Sequence, residues 1–103
     1  MTKTQIRQVK RMLKNNGYNE NSSGDMKKII CDNADIKAYA VVFIKEHVLL
    51  IYGVTSGNNC MNDHPIKYFD YDFHIPKESF KNIDKFNEFI DDEIKEIKRR
   101  LDK

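Results

Sequence analysis

The fold is decided by residues 36–54, which read IKAYAVVFIKEHVLLIYGV. Two runs rich in β-branched, aliphatic and aromatic residues are parted by Lys45, Glu46 and His47, the pattern of two strands joined by a turn. In the first run, 36–44, a period of two sends Ile36, Ala38, Ala40, Val42 and Ile44 one way and Tyr39, Val41 and Phe43 the other, flanked by Lys37 and Lys45. A strand that is apolar on both faces is either covered on both or offers one face to a partner.

Working outward, residues 53–65 form a loop with Ser56, Gly57, Asn58 and Asn59 as its turn signal, and residues 66–75 alternate cleanly. Phe69, Tyr71, Phe73 and Ile75 share one face of this strand, Tyr68, Asp70, Asp72 and His74 the other, and Pro76 ends it. Beyond it, Ile83, Phe86, Ile90, Ile94, Ile97 and Leu101 fall within an arc of roughly 80° on a helix. Ser79 and Asp84 both suit the N-cap of that helix. Toward the N-terminus, residues 27–32 give a short strand centred on Ile29 and Ile30, preceded by a polar loop over 18–25. The chain opens with a helix striped by Ile6, Val9, Met12 and Leu13, with capping-box spacing at Thr2 and Gln5 and a stop at Asn15, Asn16 and Gly17. The expected fold is α+β, a single domain over 1–103 in the order α-β-β-β-β-α, with a four-stranded antiparallel sheet packed with two helices.

Composition narrows the class. A chain of 103 residues makes one domain. With 40% hydrophobic and 33% charged residues, including 6 Phe and 5 Tyr, it is surface-rich yet too aromatic for disorder. The longest apolar runs, 38–44 and 48–54, fall far short of the ~20 residues of a spanning helix. No apolar leader region opens the chain. The expectation is a cytoplasmic protein without membrane contact, its 2 Cys kept as thiols. Abundant Lys, Asn and Ile beside 4 Arg and no Trp suggest an AT-rich gene, as in low-GC Gram-positive bacteria and their phages.

The net charge of +2 conceals a bipolar chain: residues 1–30 carry +5, 31–61 −1, 62–93 −5 and 94–103 +3. Basic side chains line the first helix (Lys3, Arg7, Lys10, Arg11, Lys14); acidic ones line the last long strand and the start of the second helix (Asp84, Glu88, Asp91, Asp92). Helices packed side by side would let these patches partly neutralise each other. Solvated faces often carry such blocks.

Candidate chemistry is thin. Tyr68, Asp70, Asp72 and His74 lie in a row, but at about 6.5–7 Å between alternate residues two of them grip one ion poorly without a third ligand. Cys60, Asp63 and His64 cluster in the 53–65 loop, yet Cys31 and His74 stand too far off in sequence for paired zinc ligands. Thiol catalysis would need a preorganised pocket and oxyanion donors. No phosphate loop, dinucleotide fingerprint, zincin helix or nucleophile elbow occurs, and 4 Gly make no phosphate cradle. The expectation is a protein without enzymatic activity, cofactor or metal.

The element order resembles the double-stranded RNA-binding domain. That family carries its phosphate-binding cations at the start of its last helix, where this chain has Asp84, Glu88, Asp91, Asp92 and Glu93 against Lys81 and Lys85. Size, AT-rich composition and lack of motifs resemble, in general character, the small accessory proteins of phages and mobile elements, including anti-CRISPR inhibitors. The leading expectation is therefore a binding protein or inhibitor whose acidic strip (Tyr68, Asp70, Asp72, His74, Asp84, Glu88, Asp91, Asp92) meets a positively charged groove of a protein target, a nucleic-acid-binding protein being one such target. The alternative is a nucleic-acid-binding module using Lys3, Arg7, Lys10, Arg11 and Lys14, with Tyr39 and Phe43 as a stacking pair. As to assembly, the chain is expected to be a monomer, or a homodimer that buries Tyr39, Val41 and Phe43 or the last helix.

Overall fold

Thr2 starts the first helix as its spacing requires. In the computed structural model, which describes residues 1–32, 36–55 and 67–101, α1 spans Lys3–Lys14. Thr2 Oγ1 accepts from the Gln5 N–H (3.1 Å) while Gln5 Oε1 accepts from the Thr2 N–H (2.8 Å), a reciprocal capping box. At the other end Gly17 takes φ +90°, and the N–H groups of Tyr18 and Gly17 donate back to the carbonyls of Leu13 and Lys14. This is Schellman pairing, which needs a residue comfortable at positive φ. Lys28 reinforces it by donating to the Asn16 carbonyl at 2.9 Å.

The sheet has five strands, one more than the expected four. Strand β1 is Asn19–Glu20, inside the polar stretch read as loop; β2 is Met26–Asp32, β3 Ile36–Phe43, β4 Val48–Thr55 and β5 Lys67–His74. All neighbours are antiparallel, in the order β1-β2-β3-β4-β5. Two polar residues carry no hydrophobic alternation, so β1 is invisible to periodicity. A tight turn makes it instead: Asn21 Oδ1 accepts from the N–H groups of Ser23 and Asp25, and Gly24 takes φ +85°.

The register of β2 on β3 shifts between Ile29 and Cys31, so Ile30 is the extra residue of a β-bulge. Ile29 stays opposite Tyr39, while Cys31 comes opposite Ala38. Ile30 and Cys31 thus both pack against the core, which strict alternation forbids.

After β5, a 3-10 turn at Lys77–Phe80 leads to α2, Ile83–Leu101. Its cap is neither Ser79 nor Asp84. Asn82 Oδ1 accepts from the Asp84 N–H at 2.7 Å, and Ser79 is buried in the turn. Val9 and Leu13 of α1 and Phe86, Ile90 and Ile97 of α2 join one core with Ile36, Ala38, Ala40, Val42, Leu49, Ile51 and Phe69. Both helices therefore stand on the same face of the sheet. No described helix is long and apolar enough to cross a membrane.

Gly53 faces this core between Ala38 and Phe69, and a Cβ there would run into the Lys37 carbonyl and the Ala38 backbone. Gly53→Ala should destabilise the protein by about 2 kcal/mol or more, measured by denaturant unfolding, because the obstruction is backbone with no rotamer to yield. Tyr18, buried edge-on against Phe86, has its phenol pushed well above its ordinary value by burial. The folded state then holds a proton that the unfolded chain releases, so this contribution is present below the ordinary tyrosine range and is lost as pH rises beyond it. Stability measured across pH 9–11 (about the unfolded tyrosine range) should fall more steeply in the wild type than in Tyr18→Phe.

Candidate functional site

With both helices on one side, the other sheet face is left uncovered among the described residues. Alternation, shifted by the bulge at Ile30, brings to it Lys27, Ile29 and Asp32 of β2, then Lys37, Tyr39, Val41 and Phe43 of β3, Val48, Leu50, Tyr52 and Val54 of β4, and Tyr68, Asp70, Asp72 and His74 of β5. The register arranges them in rows across the strands. One row is Lys27–Val41–Leu50–Asp72, the next Ile29–Tyr39–Tyr52–Asp70, and a third Asp32–Lys37–Val54–Tyr68. The middle of the face is an apolar, aromatic band of half-buried side chains, with Val41 buried beneath them.

The strands on either side of β3 and β4 differ on this face: β2 brings one lysine, Lys27, and one aspartate, Asp32, while β5 brings Asp70 and Asp72. On β2, the Lys27 ammonium lies 5.0 Å from the Tyr39 ring centre and 5.5 Å from that of Tyr52. Its hydrogen bond with Tyr52 holds its pKa above the ordinary lysine value. The Tyr39 and Tyr52 rings stack on each other across the strands, 5.2 Å apart and 18° from parallel. On β5, Asp70 and Asp72 are exposed, and Tyr68 is 82% exposed. Tyr68 on β5 and Ile29 on β2, the latter 50% exposed, are large exposed side chains of this one face. At one end His74 stacks on His47, which sits at φ +56° in the β3–β4 turn and accepts the Ile75 N–H at 2.7 Å.

The structure divides the acidic candidates. Tyr68, Asp70, Asp72 and His74 belong to the open sheet face. Asp84, Glu88, Asp91 and Asp92 are exposed on α2, whose apolar stripe points into the core on the opposite side of the sheet. The eight residues form two surfaces, not one strip. The basic candidates are divided in another way. Lys10 and Lys14 pair with Glu20 at 2.9 and 3.2 Å, while Lys3, Arg7 and Arg11 are exposed and make no ion pair among the described residues. Among the described residues no ion pair joins the two helices: the pairs run from α1 to β1 and, at the C-terminal end of α2, from Arg99 and Arg100 to Glu96. Those two guanidiniums hold the Glu96 carboxyl down at about 2.

A cleft of about 880 Å³ opens between α1 and the start of α2, floored by Val9, Met12, Phe80 and Ile83 and rimmed by Gln5, Lys77 and Lys81. Cys60, Asp63, His64 and the 56–59 turn signal lie outside the described residues. Among the described residues, no three His, Cys, Asp or Glu side chains converge as metal ligands.

Sequence reading named Tyr39, Val41 and Phe43 and the β5 row, but missed Lys27, Leu50 and Tyr52 as members of the same face. Tyr52 was within reach, since period two along β4 joins it to Val48, Leu50 and Val54. Lys27 was not, because its place beside the tyrosines depends on the β2–β3 register. Compared with known proteins, the chain matches no family, no curated protein and no solved structure.

The Lys10 and Lys14 pairs hold the Glu20 carboxyl below its ordinary range. Their small stabilising effect is present above the unfolded glutamate value and is lost as pH falls through the folded one. An NMR titration should place the Glu20 midpoint below that of Glu20 in a Lys10→Ala/Lys14→Ala variant.

Proposed function

We propose that this chain is a small non-enzymatic binding protein that seats a protein target on the open face of its sheet, with Asp70 and Asp72 meeting cations at the rim of the target. One observation carries this reading: a sheet face uncovered among the described residues, with an aromatic and aliphatic middle, a highly exposed Tyr68, and a carboxylate row along β5. A contiguous apolar face of this kind marks an interaction surface, and aromatic anchors supply most of the affinity at such surfaces. The acidic margin steers a cationic partner and sets its orientation. The setting we infer is that of a small inhibitor or adaptor acting in the cytoplasm, of the sort encoded by phages and mobile elements.

Nucleic acid fits the same surface less well. The flat faces of Tyr39 and Tyr52 are turned toward each other rather than offered to bases. Two of the five α1 cations are committed to Glu20, and the β5 carboxylates repel phosphate.

The test is capture from a low-GC bacterial lysate by tagged protein, with and without nuclease, comparing wild type with an Asp70→Lys/Asp72→Lys variant. The expected result is a stoichiometric protein that survives nuclease and whose affinity for the double variant falls roughly tenfold or more, with an unchanged melting temperature. Capture that disappears with nuclease, or that is indifferent to the double reversal, would overturn the reading.

A further inference from the structure

The sheet blunts one of its edges and leaves the other straight. At the first, β1 is two residues long, and the bulge at Ile30 interrupts β2 beyond it. At the other, β5 pairs with β4 in one unbroken register over its eight residues and contains no proline. We propose that β5 receives an extended segment of the protein target as an added strand, and that this segment alternates cationic and apolar side chains. The proposal rests on the reading of Asp70 and Asp72 as contacts for a cationic target, and it names the part of the target that meets them.

One hydrogen bond sets which backbone groups of β5 are open. The Ile75 N–H donates to the His47 carbonyl at 2.7 Å, and this pair continues the register in which His74 lies opposite Val48. Hydrogen-bonded and non-hydrogen-bonded pairs alternate along an antiparallel ladder. Phe73 with Leu49, Tyr71 with Ile51 and Phe69 with Gly53 are therefore hydrogen-bonded pairs as well. Tyr68, Asp70, Asp72 and His74 turn their N–H and C=O groups away from β4, where no described residue meets them. An added strand bonds to these groups, and its residues opposite Asp70 and Asp72 stand about 5.5 Å away between Cα atoms. Their side chains share the open face with the two carboxylates, so lysine or arginine at both positions forms cross-strand ion pairs. The residues between them fall on the helix side, beside Tyr71 and Phe73. Those two rings pack against the core yet are only half-buried, because no described strand lies beyond them. Apolar side chains of the added strand complete their cover.

Charge disfavours a second copy as the occupant. When two β5 strands pair antiparallel, every register that joins three or more of Tyr68, Asp70, Asp72 and His74 sets one aspartate opposite another. A cationic strand turns that repulsion into attraction.

The experiment uses the full chain and synthetic peptides, as long as β5, that alternate lysine with valine. Binding is followed by fluorescence anisotropy and backbone amide exchange by NMR. The alternating peptide should bind and slow exchange at the Asp70 and Asp72 amides, while the Tyr71 amide, already bonded to β4, changes much less. In the bound peptide the lysine N–H groups point at β5 and the valine N–H groups at solvent. Methylating the lysine amide nitrogens should therefore weaken binding roughly tenfold or more, and methylating the valine ones should leave it within about threefold. The Asp70→Lys/Asp72→Lys variant, with an unchanged melting temperature, should also lose roughly tenfold or more. Absence of binding at several hundred micromolar, equal damage from the two methylations, or unchanged exchange at Asp70 and Asp72 would each overturn the proposal. Peptides that fail while lysate capture still depends on Asp70 and Asp72 overturn the added strand alone. Capture that fails leaves the peptide result standing, so the two readings fail separately.

Discussion

Two helices shield one face of a sheet, and the placement of both on the same face governs the rest of this molecule. The β3 strand is apolar on both sides, so burying Ile36, Ala38, Ala40 and Val42 beneath α1 and α2 leaves Tyr39, Val41 and Phe43 on the face away from the helices. The sheet softens that exposure locally. Tyr39 stacks on Tyr52, Lys27 lies over both rings, and Val41 is buried under its neighbours. The result is a half-buried apolar band instead of a fully wetted one.

Charge is used locally on the helical side and left open on the sheet side. Glu20 holds Lys10 and Lys14, which ties α1 to the short strand that follows it, and Glu96 holds Arg99 and Arg100 in the last turns of α2. Arg100 also lies 5.1 Å from the Tyr71 ring centre, so its cation rests on an aromatic of β5. On the open face, Asp70 and Asp72 are exposed along β5, while Lys27 reaches from β2 over the Tyr39 and Tyr52 rings and Asp32 lies further along β2.

Long, periodic segments were readable from residues alone. The α1 stripe with its Thr2–Gln5 box, the alternation of β3 and β5, the β4 run and the α2 stripe all reappear close to their expected limits. Short or hydrogen-bond-defined features were not. The β1 pair exists because the Asn21–Asp25 turn folds it onto β2, and Asn82 caps α2 because the 3-10 turn at Lys77–Phe80 sets where the helix begins. The bulge at Ile30 follows from the pull of the core on two adjacent side chains, which no alternating pattern announces.

By itself, then, the sequence determined which side chains travel together: period two and period 3.6 are local properties of the backbone and need no knowledge of the fold. It placed Tyr68, Asp70, Asp72 and His74 in one row and Asp84, Glu88, Asp91 and Asp92 on one outward helix surface. Only the tertiary structure decided that these two groups look in opposite directions, and that Lys27 and Asp72 share a single row of the sheet. The reason is physical. An apolar strand is indifferent to which of its faces is buried, and long-range packing of Val9, Leu13, Phe86, Ile90 and Ile97 against one of them breaks that tie.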